Sequence, residues 1–148
     1  MVKLPPPIWT LFFLILMASA SYSVGWPTAP RVHNLSVGIG LIAVSFIAPV
    51  WAFMLFLREG TQVSPTAEAN NKLVTSGPFR FTRNPMYLGL VVLSLGVAVA
   101  TGGVLMFVAP LLVFAIANWV HIPFEEAKMR RQFGPAFDGY ARNVRRWF

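Results

Sequence analysis

The chain of 148 residues contains no cysteine and only two histidines. Without cysteine there is no disulfide, no thiolate metal site and no cysteine nucleophile. His33 and His121 are far apart in the sequence and form no metal-binding motif, so no metal is expected. The chain also lacks a Walker loop, a dinucleotide-binding glycine fingerprint and a Ser/His/Asp arrangement. These absences exclude most mechanisms of soluble enzymes.

Charged residues are also scarce. They make up 11% of the chain, while 56% is apolar, and the mean hydropathy is +0.63. Soluble domains carry roughly a quarter charged residues, so this composition indicates an integral membrane protein. The formal net charge is +7. In so apolar a chain, basic residues mark the cytoplasmic face and bind anionic lipid headgroups, and no nucleic-acid partner is expected.

The apolar segments predict an all-α membrane protein that forms a single domain, residues 1–148. Four transmembrane helices are predicted, at about residues 8–24, 35–57, 86–100 and 103–124. The last two form a helical hairpin that turns at residues 101–103, and Pro49 predicts a kink in the second. A polar connector, residues 58–85, and a polar tail, residues 125–148, complete the chain. Residues 1–20 also resemble a cleaved secretory signal, an alternative that the sequence leaves open.

Basic residues are distributed unevenly about these four spans. One side of the membrane receives Lys3, the connector and the tail, whereas the other side has only Arg31. Positive residues concentrate in the cytoplasm, so both termini, the connector and the tail are predicted to be cytoplasmic. We expect the protein in a bacterial inner membrane, among membrane lipids, as a monomer or a weak homo-oligomer.

The stretch S-G-P-F-R-F-T-R-N-P-M-Y-L-G, residues 76–89, leads from the connector into the third span. Asn84 is predicted to cap the helix, and Pro85 suits its first position because proline lacks an N–H. The positive end of the helix dipole then lies beside Arg80 and Arg83. This arrangement predicts a site for an anionic group.

The end of the fourth span carries a second polar group. Asn118, His121 and Glu125 recur at helical spacing and are predicted to share one face, with Glu126 next to it. Two alternatives remain open for the glutamates: they pair with nearby cations, or they hold a ligand at the membrane surface.

The tail is predicted to contain two helices separated at Gly134-Pro135. In the second helix, apolar and aromatic residues recur every three or four positions: Phe137, Tyr140, Val144 and Trp147. Three arginines are expected on its opposite face: Arg142, Arg145 and Arg146. This pattern is typical of an interfacial amphipathic helix that reaches nearly to the end of the chain.

Three blocks in this order resemble a known superfamily. They are G-P-F-R-F-T-R-N-P-M-Y-L-G, the E-E pair at residues 125–126, and F-G-P-A-F-D-G-Y-A-R-N-V-R-R-W in the tail. From about Leu73 to its end, the chain is similar to the isoprenylcysteine carboxyl methyltransferase and phospholipid methyltransferase superfamily. Asn84 stands where that superfamily usually has histidine, and Phe137 stands where tyrosine is common.

The resemblance implies an S-adenosylmethionine-dependent methyltransferase. Arg83, Pro85, Tyr87 and Gly89 would form one wall of the cofactor site, and the two glutamates would close it. With their neighbours, the predicted cofactor-binding residues are Arg80, Arg83, Asn84, Pro85, Tyr87, Leu88, Gly89, His121, Glu125 and Glu126.

Methyl transfer from a sulfonium is an in-line displacement, so positioning and electrostatics supply most of the effect. Arg142 and Arg146 are the candidates for orienting an acceptor carboxylate, and Glu126 is the candidate base for an amine or a thiol. Tyr140 and Arg145 are assigned to the lipophilic substrate, whose identity stays open. Two alternatives are an NADPH-dependent membrane reductase of the sterol reductase type and a non-catalytic membrane protein of the same fold.

Overall fold

The computed structural model describes residues 4–60 and 72–148, and within these ranges the regular structure is helical. Residues 61–71 of the predicted connector, and Lys3, lie outside the described residues. The helices are α1 Pro6–Ser23, α2 Leu35–Ser45, α3 Ile47–Glu59, α4 Pro85–Thr101, α5 Val108–Ile116, α6 Ile122–Phe133 and α7 Pro135–Asn143. Short 3₁₀ turns lie at Gly77–Arg80 and Val104–Phe107, and a π-turn lies at Ala117–His121. The predicted all-α class is confirmed.

Three helical runs are long and apolar enough to cross a membrane: Pro6–Ser23, Leu35–Glu59 and Val104–Phe133. The third predicted span, Pro85–Thr101, is apolar but shorter, at 17 residues. A membrane-spanning helix needs about 20 residues, so the count of four spans stays a prediction. The helical run that holds the fourth predicted span continues past Phe124 through the glutamate pair to Phe133, and the predicted end of the span itself stays a prediction.

The predicted kink at Pro49 is confirmed. α2 ends at Ser45 and α3 begins at Ile47, with Phe46 between them. Pro49 has no N–H to offer the Ser45 carbonyl, which breaks the helical hydrogen-bond pattern at this point. α4 passes close to the break, since a Cβ on Gly89 would lie 2.3 Å from Cγ of Pro49. The glycine therefore lets α4 pack directly against the kink.

Small residues also bring α2 and α4 together further along. A Cβ built on Gly38 would lie 2.5 Å from both the backbone nitrogen and the Cβ of Ala100. A Cβ on Gly96 would lie 2.9 Å from the backbone nitrogen of Ile42. Close backbone approach at small residues is how helices associate in membranes, where burial of apolar surface provides little driving force.

The hairpin between α4 and α5 turns where the sequence predicts it. α4 ends at Thr101, and Gly102 adopts a φ of 66°, which glycine reaches without strain. The loop after α1 pairs with this turn: Ala29 N donates to Gly102 O at 2.8 Å, and Val104 N donates to Pro27 O at 2.9 Å. This end of the bundle is therefore closed by backbone hydrogen bonds.

At the other end of the bundle, two helix boundaries are confirmed. Pro85 occupies the first turn of α4, and Gly134, at φ 51°, separates α6 from Pro135 of α7. The prediction that the Asn84 side chain caps α4 is wrong: it makes no capping hydrogen bond and instead donates to the Arg146 carbonyl. The side chain of Asn84 therefore binds the backbone near the end of the chain and not the first turn of α4.

The predicted length of the last helix is also wrong. α7 ends at Asn143, and Val144 is extended, with φ −121° and ψ 128°. We call residues 144–148 the C-terminal segment. It lies against the starts of α4 and α6 rather than continuing the helix, and this turns Arg146 inward instead of leaving it on a polar face.

The glycines of α2 provide a test of this packing. We expect Gly38→Ala to destabilise the protein by about 1–3 kcal/mol, because the new methyl group meets the Ala100 backbone, which cannot move aside. Gly40→Ala is the matched control, since a Cβ there meets nothing within 4 Å. SDS-induced unfolding in mixed micelles measures both. Equal unfolding free energies for the two variants would contradict the packing.

Candidate functional site

A cavity of about 580 Å³ lies at the end of the bundle that carries the starts of α1 and α4. Its volume falls within the range of about 300–1,000 Å³ that is usual for small-molecule sites. The break between α2 and α3 and the helices α6 and α7 complete its wall. Most of the wall is apolar, and its ionisable side chains are Lys72, Arg83, Tyr87, Glu125, Glu126, Lys128 and Tyr140.

Glu126 is a buried carboxylate held between two arginines. Its side chain is 9% exposed, and Oε1 lies 3.2 Å from Nη1 of Arg83. From the other side, Arg146 donates from Nη2 to Oε2 at 2.8 Å and from Nε to Oε1 at 3.2 Å. A two-pronged guanidinium contact of this kind fixes both position and orientation. The two cations offset the cost of burying the carboxylate.

The residues just before α4 hold the backbone of the C-terminal segment. Thr82 Oγ1 and Asn84 Nδ2 both donate to the Arg146 carbonyl, at 3.0 and 2.9 Å. Between them, Arg83 N donates to the Arg145 carbonyl at 3.0 Å. Three consecutive residues therefore bind the segment that delivers Arg146 to Glu126.

The π-turn holds the same segment from the opposite side. Asn118 Oδ1 accepts from Arg146 Nη1 at 3.3 Å and from Trp147 Nε1 at 3.1 Å. The Trp147 ring packs against Phe114 of α5, with ring centroids 4.8 Å apart. π-turns are rare and occur often at functional sites. Here the turn presents an amide oxygen to two donors.

Tyr87 and Glu125 form a second polar contact in the cavity wall. The phenol of Tyr87 donates to Glu125 Oε1 at 2.6 Å, so α4 and α6 are joined by a hydrogen bond to a carboxylate. The ring of His121 lies 6.1 Å from that of Tyr87. His121 is buried and its Nε2 has no partner among the described residues.

α7 places two aromatic side chains, Phe137 and Tyr140, against the cavity. Tyr140 donates from its phenol to the Phe79 carbonyl at 2.7 Å, which ties α7 to the stretch before α4. Burial raises the pKa of Tyr140 above its ordinary value, since an ionised phenolate would lose its hydration. Tyr140 is therefore a neutral donor at physiological pH.

The structure brings eight of the predicted site residues to the cavity wall: Arg83, Asn84, Pro85, Tyr87, Gly89, Glu125, Glu126 and Tyr140. Arg146 does not line the cavity, but it donates a hydrogen bond to Glu126, which does. The others lie outside it: Arg80, Arg142 and Arg145 are exposed, Leu88 is half-buried beside the wall, and His121 faces a separate, small cavity.

The expectation that Asn118, His121 and Glu125 share one ligand-facing surface is wrong. Glu125 lines the main cavity, His121 lines the small one, and Asn118 binds the C-terminal segment. The π-turn is the physical reason, because its wider winding changes the angles at which these side chains leave the helix.

The sequence does not reveal the partner of two residues of the site. Thr82 and Asn118 bind Arg146, which lies 64 and 28 positions away. A threonine in a loop and an asparagine in an apolar helix have many local interpretations. The polarity of Asn118 within an apolar helix was the one available sign of a specific partner.

The comparisons with known proteins assign a family. The family model for phospholipid methyltransferase matches residues 33–136, which include the stretch before α4 and the glutamate pair. Neither the search of curated proteins nor the search of solved structures gave a match.

Glu126 offers a test of this geometry. We expect Glu126→Gln to lower the unfolding free energy by roughly 3 kcal/mol, because it leaves two guanidinium groups facing each other without a carboxylate. Asp138→Asn is the matched control. Its partner is Arg130, and these side chains are 54% and 51% exposed, so we expect a loss below about 1 kcal/mol. SDS titration of the two variants measures both effects, and equal losses would disprove the buried triad.

Proposed function

Because the chain belongs to the phospholipid methyltransferase family, we propose that it transfers a methyl group from S-adenosylmethionine to a lipophilic acceptor at the membrane surface. The family establishes a membrane methyltransferase, and three long apolar helices agree with a membrane location. The cofactor, the residues that bind it and the nature of the acceptor are part of the proposal.

The donor set of the cavity suits the cofactor. Arg83 is largely buried, its Nε has no hydrogen-bond acceptor among the described residues, and it lies on the cavity wall. We propose that this guanidinium binds a carboxylate, such as that of the cofactor's methionine part. The presence of Arg83, Glu125 and Glu126 in the wall of one cavity is the observation that carries the proposal.

The other polar groups provide complementary acceptors. Glu125 accepts from Tyr87 through one oxygen, which leaves its second oxygen for an ammonium or a ribose hydroxyl. Pro85 and Gly89 of α4 line the cavity beside these groups. We propose that Arg83, Asn84, Tyr87, Glu125 and Glu126 bind and orient the cofactor.

S-adenosylmethionine supplies an electrophilic methyl group on a sulfonium. The chain's own part is to hold the two reactants in line and to exclude water. We propose that Glu126, held by Arg146, and the neutral Tyr140 of α7 orient the polar groups of the reactants in the cavity. For an amine or thiol acceptor, which must lose a proton, we propose Glu126 as the base.

The apolar part of the cavity suits a lipophilic acceptor. It is lined by Phe46 and Pro49 at the helix break and by Leu90 and Leu93 of α4. Phe46 is also 53% exposed on the outer surface, so this wall borders the region that acyl chains contact. We propose that the acceptor reaches the cavity sideways from the bilayer, whereas the polar cofactor arrives from the water.

The exposed arginines fit the same arrangement. Arg80, Arg142 and Arg145 are exposed and are not among the residues that line the cavity. We propose that they face the cytoplasmic headgroups, where they attract an acceptor with a carboxylate or a phosphate. Both termini then lie in the cytoplasm.

Ligand titration of the purified protein in detergent tests the function. We expect saturable binding of S-adenosylmethionine and S-adenosylhomocysteine and none of NADPH. Tyr87→Phe and Glu125→Ala each remove the phenol–carboxylate contact, so we expect about tenfold weaker binding of both ligands with the fold intact.

Asp138→Asn is the control for these variants, because Asp138 pairs with Arg130 on the exposed side of α7 and does not line the cavity. Binding of NADPH alone would point to a reductase and overturn the proposal. Unchanged affinity in both cavity variants would place the cofactor elsewhere.

Leu93→Trp tests the path of the acceptor. The larger side chain fills the apolar end of the cavity, so we expect methyl incorporation from labelled S-adenosylmethionine into phosphatidylethanolamine vesicles or farnesylcysteine to fall at least about tenfold. Cofactor affinity, measured on the same sample, stays unchanged. Equal activity of wild type and variant on whichever acceptor is methylated would exclude the apolar end as the acceptor site.

A further inference from the structure

The C-terminal segment is anchored at several points. Thr82, Arg83 and Asn84 form hydrogen bonds to its backbone. Two of its side chains, Arg146 and Trp147, donate hydrogen bonds to Asn118. Asn118 does not line the main cavity. Its side-chain oxygen is the acceptor that ties the side chains of the segment to the π-turn.

We propose that Asn118 is a positioning residue, which sets the geometry of Glu126 by fixing the C-terminal segment to the π-turn. The inference rests on the proposed function, because Asn118 affects the binding of S-adenosylmethionine only if the cofactor binds beside Glu126. Asn118 touches neither the reactants nor the cavity, and it acts through Arg146.

One atom, Oδ1 of Asn118, accepts two hydrogen bonds from the C-terminal segment. An amide oxygen has two lone pairs, and Asn118 Oδ1 uses both, for Arg146 Nη1 and for Trp147 Nε1. A further contact joins Arg146 Nη1 to the Asn118 carbonyl, at 3.5 Å. The guanidinium is thereby held flat against Glu126, with Nε and Nη2 directed at its two oxygens.

Loss of the Asn118 side chain would weaken this orientation. Arg146 would keep its charge, its backbone contacts and its hydrogen bonds to Glu126, but Nη1 would lose its side-chain acceptor and the indole of Trp147 its anchor. The guanidinium would then be oriented by fewer contacts, and the oxygens of Glu126 would be fixed less firmly relative to Tyr87 and Glu125. A misplaced binding group costs affinity even when every charge is still present.

The experiment compares Asn118→Ala with Asn118→Asp. The carboxylate of aspartate has the acceptor capacity to receive both donors, whereas alanine receives neither. Asn143→Ala is the matched control, since among the described residues the exposed Asn143 side chain bonds only to the Gly139 carbonyl within α7. Trp147→Phe keeps the ring beside Phe114 and removes only the indole N–H, so it serves if Asn118→Ala does not fold.

Two measurements are made on each variant. The first is ¹⁹F NMR of protein labelled with 5-fluorotryptophan, where the Trp147 signal is identified by its absence in Trp147→Phe. The second is the dissociation constant for S-adenosylmethionine. We expect Asn118→Ala to move the Trp147 signal and to weaken binding about tenfold, Trp147→Phe to weaken it about threefold, and Asn118→Asp to restore the wild-type affinity.

Each other outcome counts against the inference. An unmoved Trp147 signal in Asn118→Ala would show that the segment is not anchored there. A moved signal with unchanged affinity would reduce Asn118 to a purely structural role. If the wild-type protein binds no S-adenosylmethionine, the proposed function and the positioning role both fail, and the Trp147 signal still decides separately whether the anchor exists.

Discussion

The structure of the site depends on one buried carboxylate and the two cations that surround it. Glu126 sits near the end of a long apolar helix run, where an unpaired charge is costly. Arg83 comes from the stretch before α4 and Arg146 from the end of the chain, so the ion pairs join three distant parts of the sequence. The C-terminal segment, the start of α4 and the π-turn are all arranged to bring these groups together.

The same arrangement divides the cavity into a polar and an apolar half. Arginine, glutamate and tyrosine side chains gather at the helix ends, while the break at Phe46 and the leucines of α4 form the other wall. The polar half suits a polar ligand such as the proposed cofactor. The apolar half suits a lipid-soluble ligand such as the proposed acceptor. Gly89 allows α4 to pack directly against the helix break at Pro49, and both residues line the cavity.

Local rules predicted the boundaries that depend on local chemistry. The helix start at Pro85, the turn at Gly102, the kink before Pro49 and the break at Gly134 each follow from the backbone limits of one or two residues. The failures share a physical cause. Asn84 was expected to cap its own helix and instead bonds to a carbonyl 62 residues away, and the tail residues with helical spacing unwind after Asn143. A pattern of neighbours does not contain such long-range partners, and nothing in the apolar sequence of α5 marks the π-turn that orients Asn118.

A structure determined with S-adenosylhomocysteine would show where the ligand binds and what Arg83 contacts. We expect the ligand in the cavity between α4 and α6, with its carboxylate on Arg83 and its amino group or ribose beside Glu125 or Glu126. Ligand bound outside this cavity, without contact to Arg83, Glu126 or Arg146, would show that the cavity is not the cofactor site.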